Sequence, residues 1–286
     1  LYHCGQLLAD LIDMKNKNIS NRSGELLKYF NAIEQHYFDY VEARKALPSS
    51  SESALKELLS DMVRRGLLMR LKKGLYYLIP YEQDPEAFMP DWHLLAEALT
   101  KEVPHYIGYY SAMQIHNLIT QPSLKEQIVV AAQMRPSQIE IRNINFQFIY
   151  HNEGHFFGAQ KVWLDSYHKV WCSDLEKTFI DCLFKPDYAG GIVEIAKAIH
   201  VSKDKIKFKQ LLDYAKKFDS QAVIKRLGFL LEALQIGTEI LDMLQDLKTK
   251  SYVVLDTELP KEGKWHSRWS IQQNLDLETI QSAIYT

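Results

Sequence analysis

Cysteine is scarce in this chain. Cys4, Cys172 and Cys182 are the only three among 286 residues. An odd number with no Cys-x-x-Cys pair argues against a disulfide framework or a zinc knuckle, and reduced thiols in a cytoplasmic protein are the simplest reading. Long apolar runs are missing too: none approaches the roughly 18 residues that suggest a membrane span. The opening stretch, LYHCGQLLADLIDM, is short and carries Asp10 and Asp13, so it does not read as a signal peptide. Charge of one sign is also lacking. The formal net charge is -2, so any nucleic-acid site must arise from local clustering of Lys and Arg. Neither a GxxxxGK[ST] phosphate loop nor a GxSxG elbow occurs.

What is present is an ordinary globular composition, 47% hydrophobic and 24% charged, with enough apolar side chains for packed cores. The length suggests roughly two domains of 100–200 residues. Residues 1–23 read as an extension, with a polar connection over 16–23. From Gly24 to about His36, Leu26, Leu27, Phe30 and Ile33 recur at helical spacing. Asp39 can cap a second helix through Leu47, with Val41 and Leu47 inward, and Pro48 ends it. Ser49 and Glu52 have capping-box spacing, which predicts a third helix to about Arg65. Its buried face is Leu55, Leu58, Leu59 and Met62, and Gly66 terminates it. Two extended runs then flank Lys72-Lys73-Gly74, the pattern of a β-hairpin.

Helix, helix, short turn, helix, hairpin is the order of a winged helix-turn-helix, in which the third helix enters the major groove and the hairpin reaches phosphates. Ser50, Ser51, Ser53 and Lys56 fall at the first turns of that helix, where base edges become reachable. Arg64, Arg65, Arg70, Lys72 and Lys73 form a basic run with no acid between Met62 and Gly74. Glu52 and Glu57 count against strong base reading, since phosphates repel them. The expected DNA-binding domain is 24–80, followed by a Pro- and acid-rich linker, 81–90.

Residues 91–286 read as a second, mixed domain. A helix is expected over Asp91–Lys101 and another over Ser111–Leu118. Gln127–Ala132, Ile139–Arg142 and Asn145–Tyr150, with Gln160–Leu164 and Lys169–Trp171, predict a small, largely antiparallel sheet. Ser173 is a candidate cap for a helix with Glu176 at its third position. Further helices follow over Ile192–His200, Lys205–Phe218, Ser220–Leu234 and Gly237–Leu247. Tyr252–Leu255 and Trp265–Ser270 are short and β-like. The expected class is α+β, with a helical C-terminal part.

Candidate chemistry is thin. His151-Asn152-Glu153-Gly154-His155 spaces two histidines by four, but the glutamate stands at the wrong position for HExxH, and Gly154 favours a loop. Cys172 precedes a helix start, where a thiol pKa can fall, although a buried inert thiol is the simpler reading. Trp163, Trp171, Trp265 and Trp269 read as core or ledge aromatics. No catalytic, metal or cofactor site is expected.

Several segments carry a family resemblance. They are Ala54–Tyr77; Tyr106-Ile107-Gly108 with Ser111, Ala112, His116 and Leu118; Ser173–Pro186 followed by Tyr188-Ala189-Gly190-Gly191; and Lys225-Arg226-Leu227-Gly228-Phe229-Leu230-Leu231-Glu232. In order and spacing the chain resembles the AbiEi-type antitoxins, predicted transcriptional regulators of bacterial abortive-infection systems. The resemblance spans about residues 40–235. It implies a winged-helix domain that represses its own operon by binding operator DNA, and a C-terminal domain needed for antitoxin activity. It also implies a cognate nucleotidyltransferase toxin countered without a stable complex, the type IV behaviour. Two other readings stand beside it: an interaction scaffold whose winged helix does not bind DNA, and a nucleotidyltransferase-like enzyme. The latter needs grouped carboxylates for Mg²⁺, and its Gly-Ser and paired-aspartate pattern is absent.

Overall fold

The computed structural model describes residues 19–119, 121 and 123–284. The opening stretch read above as no signal peptide, and Cys4 with it, lie outside the described residues. The chain is a mixture of helices and sheets and divides into two compact units, Leu1–Leu99 and Thr100–Thr286.

In the first unit the order is α1 (Asn21–Ala32), β1 (Tyr37–Asp39), α2 (Tyr40–Ala46), α3 (Glu52–Arg64), β2 (Leu68–Lys72), β3 (Leu75–Leu78) and α4 (Trp92–Leu99). Helix α1 begins inside the stretch expected to be a connection, because the Ser20 hydroxyl accepts the Ser23 amide and caps the first turn. Asp39 caps α2 with a full capping box, Glu42 returning a bond to the Asp39 amide. Val41, expected inward, is 60% exposed. The cap of α3 is Ser51, not Ser49: the Ser50 amide bonds back to Leu47 and closes a turn, so the helix starts two residues later. Gly66 ends α3 at φ +72°, and an added Cβ there would overlap the Pro85 ring.

Strands β2 and β3 form the expected hairpin, but β1 adds a third strand, giving the antiparallel order β1-β3-β2. Leu26, Phe30, Phe38, Leu55, Leu59 and Met62 build the core beneath it, and the Phe30 and Phe38 rings stack 4.2 Å apart. Each such side chain contributes about 1.5–3 kcal/mol through burial. Helix α4, assigned from sequence to the second domain, groups with this unit.

The second unit holds β4 (His105–Ile107), α5 (Tyr109–Ile115), β5 (Lys125–Val130), β6 (Gln138–Ile141), β7 (Ile144–Tyr150), β8 (Ala159–Trp163) and β9 (Lys169–Ser173). There follow α6 (Leu175–Phe184), α7 (Gly191–Ser202), α8 (Phe208–Phe218), α9 (Gln221–Ala233) and α10 (Ile240–Leu247). The segment ends with β10 (Val253–Val254), β11 (Lys264–His266), β12 (Ile271–Gln273) and α11 (Leu277–Ala283). The six-stranded sheet runs β6-β7-β5-β4-β9-β8. It is mixed: three pairings are antiparallel, but β5–β7 and β4–β9 are parallel. The cap of α6 is Asp174, whose carboxylate accepts the Lys177 amide, while Ser173 bonds to Thr178. Strands β10, β12 and β11 make a separate small sheet.

Helices α6–α10 pack around a core that includes Trp269. Gly228 of α9 lies against that indole, where an added Cβ would overlap the ring. On the same helix Arg226 is buried, and its guanidinium donates to the carbonyls of Leu183 at 2.7 Å, Phe184 at 3.3 Å, Val254 at 2.9 Å and Leu255 at 2.9 Å.

Candidate nucleic-acid interface

Helix α3 turns Ser53, Lys56, Glu57, Ser60 and Arg64 outward, residues spaced three or four apart on one face. Ser51 is exposed at its start, with its hydroxyl engaged as the cap. Ser50 is different. It is buried at 8% exposure, and its hydroxyl accepts a hydrogen bond from Arg22 at 3.0 Å, bracing α1 against the turn before α3. Of the four first-turn residues singled out in the sequence, Ser51, Ser53 and Lys56 share the surface and Ser50 does not. Lys56 pairs with Glu52 at 2.6 Å, which raises the lysine pKa and lowers the glutamate's. A cleft of about 720 Å³ opens between the start of α1 and this face, lined by Ser20, Arg22, Glu57, Ser60, Asp61 and Arg64.

The basic run is less free than its composition suggests. Asp61, one residue before the acid-free stretch, pairs with both Arg64 and Arg65. Arg65 is largely buried and also donates to Ser23 at 3.0 Å, so it belongs to the packing of α1 on α3. Lys72 donates to the Leu99 carbonyl at 2.9 Å, at the C-terminal end of α4, where a cation complements the helix dipole. Arg70 and Lys73 remain as exposed cations on the hairpin. The pairing of β2 with β3 is irregular between Arg70 and Lys72, and Gly74 turns the tip at φ +78°. Arg64, Arg70 and Lys73 therefore present charge to solvent, while Arg65 and Lys72 act within the unit.

In the second unit, His151 belongs to a buried polar network built on Lys177 and Asp181, whereas Glu153 is exposed. Lys177 and Asp181, one helical turn apart on α6, form an ion pair at 0% exposure. Tyr106 accepts from Lys177 at 2.9 Å and donates to Asp181 at 3.0 Å. His151 bonds to the Tyr109 hydroxyl at 2.8 Å, and His155 Nε2 contacts the Phe218 carbonyl at 3.0 Å. Rings of Tyr106, Phe157 and Phe218 surround the Lys177 ammonium at 5.0–5.3 Å. Gly158, at φ +72°, lies against the Lys177 stem, where an added Cβ would come within 2.7 Å.

Burial lowers the His151 pKa to about 4, with Asp181 opposing, and lowers that of Lys177, again against Asp181. Burial raises the hydroxyls of Tyr106 and Tyr109, with the Asp181 charge adding to it. Cys172 is fully buried and its thiol pKa is pushed up, chiefly by desolvation. Among the described residues no group of three or more His, Cys, Asp or Glu is arranged to hold a metal.

The sequence reading missed this network. Its signal was Lys177 and Asp181 at i, i+4 on a helix whose only other polar residues are Glu176 and Thr178. Two of the segments that carried the family resemblance meet here: Tyr106 comes from one, and Lys177 and Asp181 from the other. His116, from the first, contacts the Ser173 carbonyl at 2.8 Å.

No family model matches the chain, and no curated protein matches its sequence. Among solved structures it is similar to the crystal structure of the RV2827C protein from Mycobacterium tuberculosis, with a TM-score of 0.70 and 11% identity. The match covers 95% of this chain and 97% of that one. At that identity the likeness concerns the fold.

Proposed function

We propose that this chain is a DNA-binding regulator whose first unit is a winged helix-turn-helix, and that it acts as an AbiEi-like autorepressing antitoxin. The observation that carries the DNA reading is the joint exposure of the polar face of α3 and the hairpin cations Arg70 and Lys73 in one unit. A helix of this kind suits the major groove, and a hairpin of this kind suits the phosphates beside it. The antitoxin reading rests on the resemblance, which also implies the operator upstream of its own genes and a nucleotidyltransferase toxin as functional partners. The work of the second unit is then antitoxin activity rather than catalysis.

The test is a titration on the DNA upstream of the gene and on scrambled duplex across a salt series. Binding should weaken with salt by a slope of about −0.9 per phosphate contact. Replacing Arg70 and Lys73 by Ala should weaken both duplexes alike and flatten the slope by up to about two contacts' worth. Replacing Ser53 and Lys56 should lose mainly the cognate preference, by about 1–3 kcal/mol per base contact. Affinity that does not respond to salt, or a hairpin variant that loses only cognate binding, would overturn the docking geometry. A second reading, an interaction scaffold, is favoured by Asp61 neutralising Arg64 and Arg65. A chain that binds no duplex yet still rescues growth against the toxin would establish it.

A further inference from the structure

Strand β8 is an edge of the six-stranded sheet, and with β9 it forms a hairpin whose outer face is neither apolar nor simply charged. Lys161 stands opposite Trp171, and Trp163 opposite Lys169. The four side chains make a two-by-two checkerboard of cations and indoles. Trp163 is 61% exposed and Trp171 39%, although tryptophan is normally among the more buried residues. Each carries an ammonium over its ring: Lys169 is 4.1 Å from the Trp163 centroid and Lys161 is 5.4 Å from that of Trp171. The two indoles are diagonal neighbours, a relation that separates backbones by about 7–8 Å, so each ring can take a different planar group. Tyr167, in the connecting loop, is 86% exposed. The acid of that loop, Asp165, is paired with His168 at 2.8 Å.

Helix α8 approaches the base of the hairpin. Asp174, just after β9, accepts from Gln210 and Tyr214 of α8. Lys217 of the same helix lies 4.3 Å from the ring centroid of Phe157, two residues before β8. Lys203, Lys205, Lys207, Lys209, Lys216 and Lys217 are exposed along this segment and outnumber its exposed acids, Asp204, Asp213 and Asp219.

From this juxtaposition we infer that the β8–β9 face binds single-stranded polynucleotide, its bases stacking on Trp163 and Trp171 and its phosphates meeting Lys161 and Lys169. Single-strand binders combine a cationic track with aromatic rings because every base offers a flat face and every linkage a charge. A protein partner fits less well, since the cores of protein interfaces are depleted of lysine. This site is separate from the duplex reading of the first unit.

The test uses the full chain and two fluorescent oligonucleotides of about 16 residues, one of uridylate and one of thymidylate. Saturable binding with quenching of tryptophan emission is expected. Tighter binding of the uridylate strand assigns the site to RNA, and equal binding assigns it to single strands of both kinds. Trp163→Leu and Trp171→Leu keep apolar bulk but remove the stacking face, and each should lower affinity at least about 5-fold. The Phe variants should recover part of that loss. Lys161→Ala with Lys169→Ala should reduce the salt slope by about 0.7 per lysine. Replacing Arg70 and Lys73 should leave single-strand binding in place, and the tryptophan variants should leave duplex binding unchanged. All four side chains are exposed, so a circular dichroism spectrum suffices to show the variants folded. Absence of saturable binding at low salt, or leucine variants with undiminished affinity, overturns the proposal. Loss of self-association in the leucine variants without strand binding would make the face a protein contact and overturn it as well.

Discussion

At the scale of single residues, the second unit is governed by charges that have left water. Lys177 has no solvent; its ammonium meets Asp181, the Tyr106 hydroxyl and the rings of Tyr106, Phe157 and Phe218. Removing one member of such a pair leaves the other charge buried and unpartnered. Lys177→Met or Asp181→Asn should each destabilise by about 3–5 kcal/mol, and the double variant by less than the sum. Urea unfolding of the four chains in a cycle measures this. His151 adds a pH dependence. Its pKa is about 4 folded against 6.5 as a free side chain. Between those values the unfolded chain takes up a proton that the folded one refuses. Stability is therefore full above about pH 6.5 and falls as pH drops toward 4, by an amount on the order of 3 kcal/mol. His151→Gln should flatten that fall in urea midpoints compared at about pH 7 and about pH 4.5.

At the scale of elements, α3 pairs two of its own cations. Asp61 holds Arg64 and Arg65 from within the same helix. Asp61→Asn should release Arg64 toward phosphate, tighten non-specific duplex binding several-fold, and steepen the salt slope by up to about one contact's worth, −0.9. A duplex titration over salt reads it, and unchanged binding would place Arg64 outside the interface. The helix itself was legible from Leu55, Leu59 and Met62, because a repeat near 3.6 persists over thirteen residues. Its pairing with Asp61 was not, since a charge run counted from Met62 stops one residue short. Strands β1 and β4 are three residues long, too short for alternation to register. The parallel partners β5 and β7 were each visible as strands. Their relative direction was not, because alternation says which face is buried and nothing about the neighbour. The burial of Ser50 depends on Arg22, twenty-eight positions away, a contact that no local pattern contains.

At the scale of the whole molecule, the segments that carry the family resemblance divide between two roles. Ala54–Tyr77 supplies α3 and the hairpin, with Lys56, Arg64, Arg70 and Lys73 exposed, whereas the others supply buried groups: Tyr106, Lys177, Asp181 and Arg226. Arg226 shows how far such a residue reaches. One guanidinium holds carbonyls at the end of α6 and in the segment around β10, the latter 28 and 29 residues beyond Arg226 itself. In hydrogen exchange, therefore, the last turn of α6 and the β10–β12 sheet should open as one cooperative unit with α9, at a common free energy. Arg226→Lys cannot fork to all these carbonyls, so protection of both regions should drop together while the β4–β9 strands keep theirs. The tail beyond Leu247 would then be a latch that opens and closes with the helical core rather than an appendage to it.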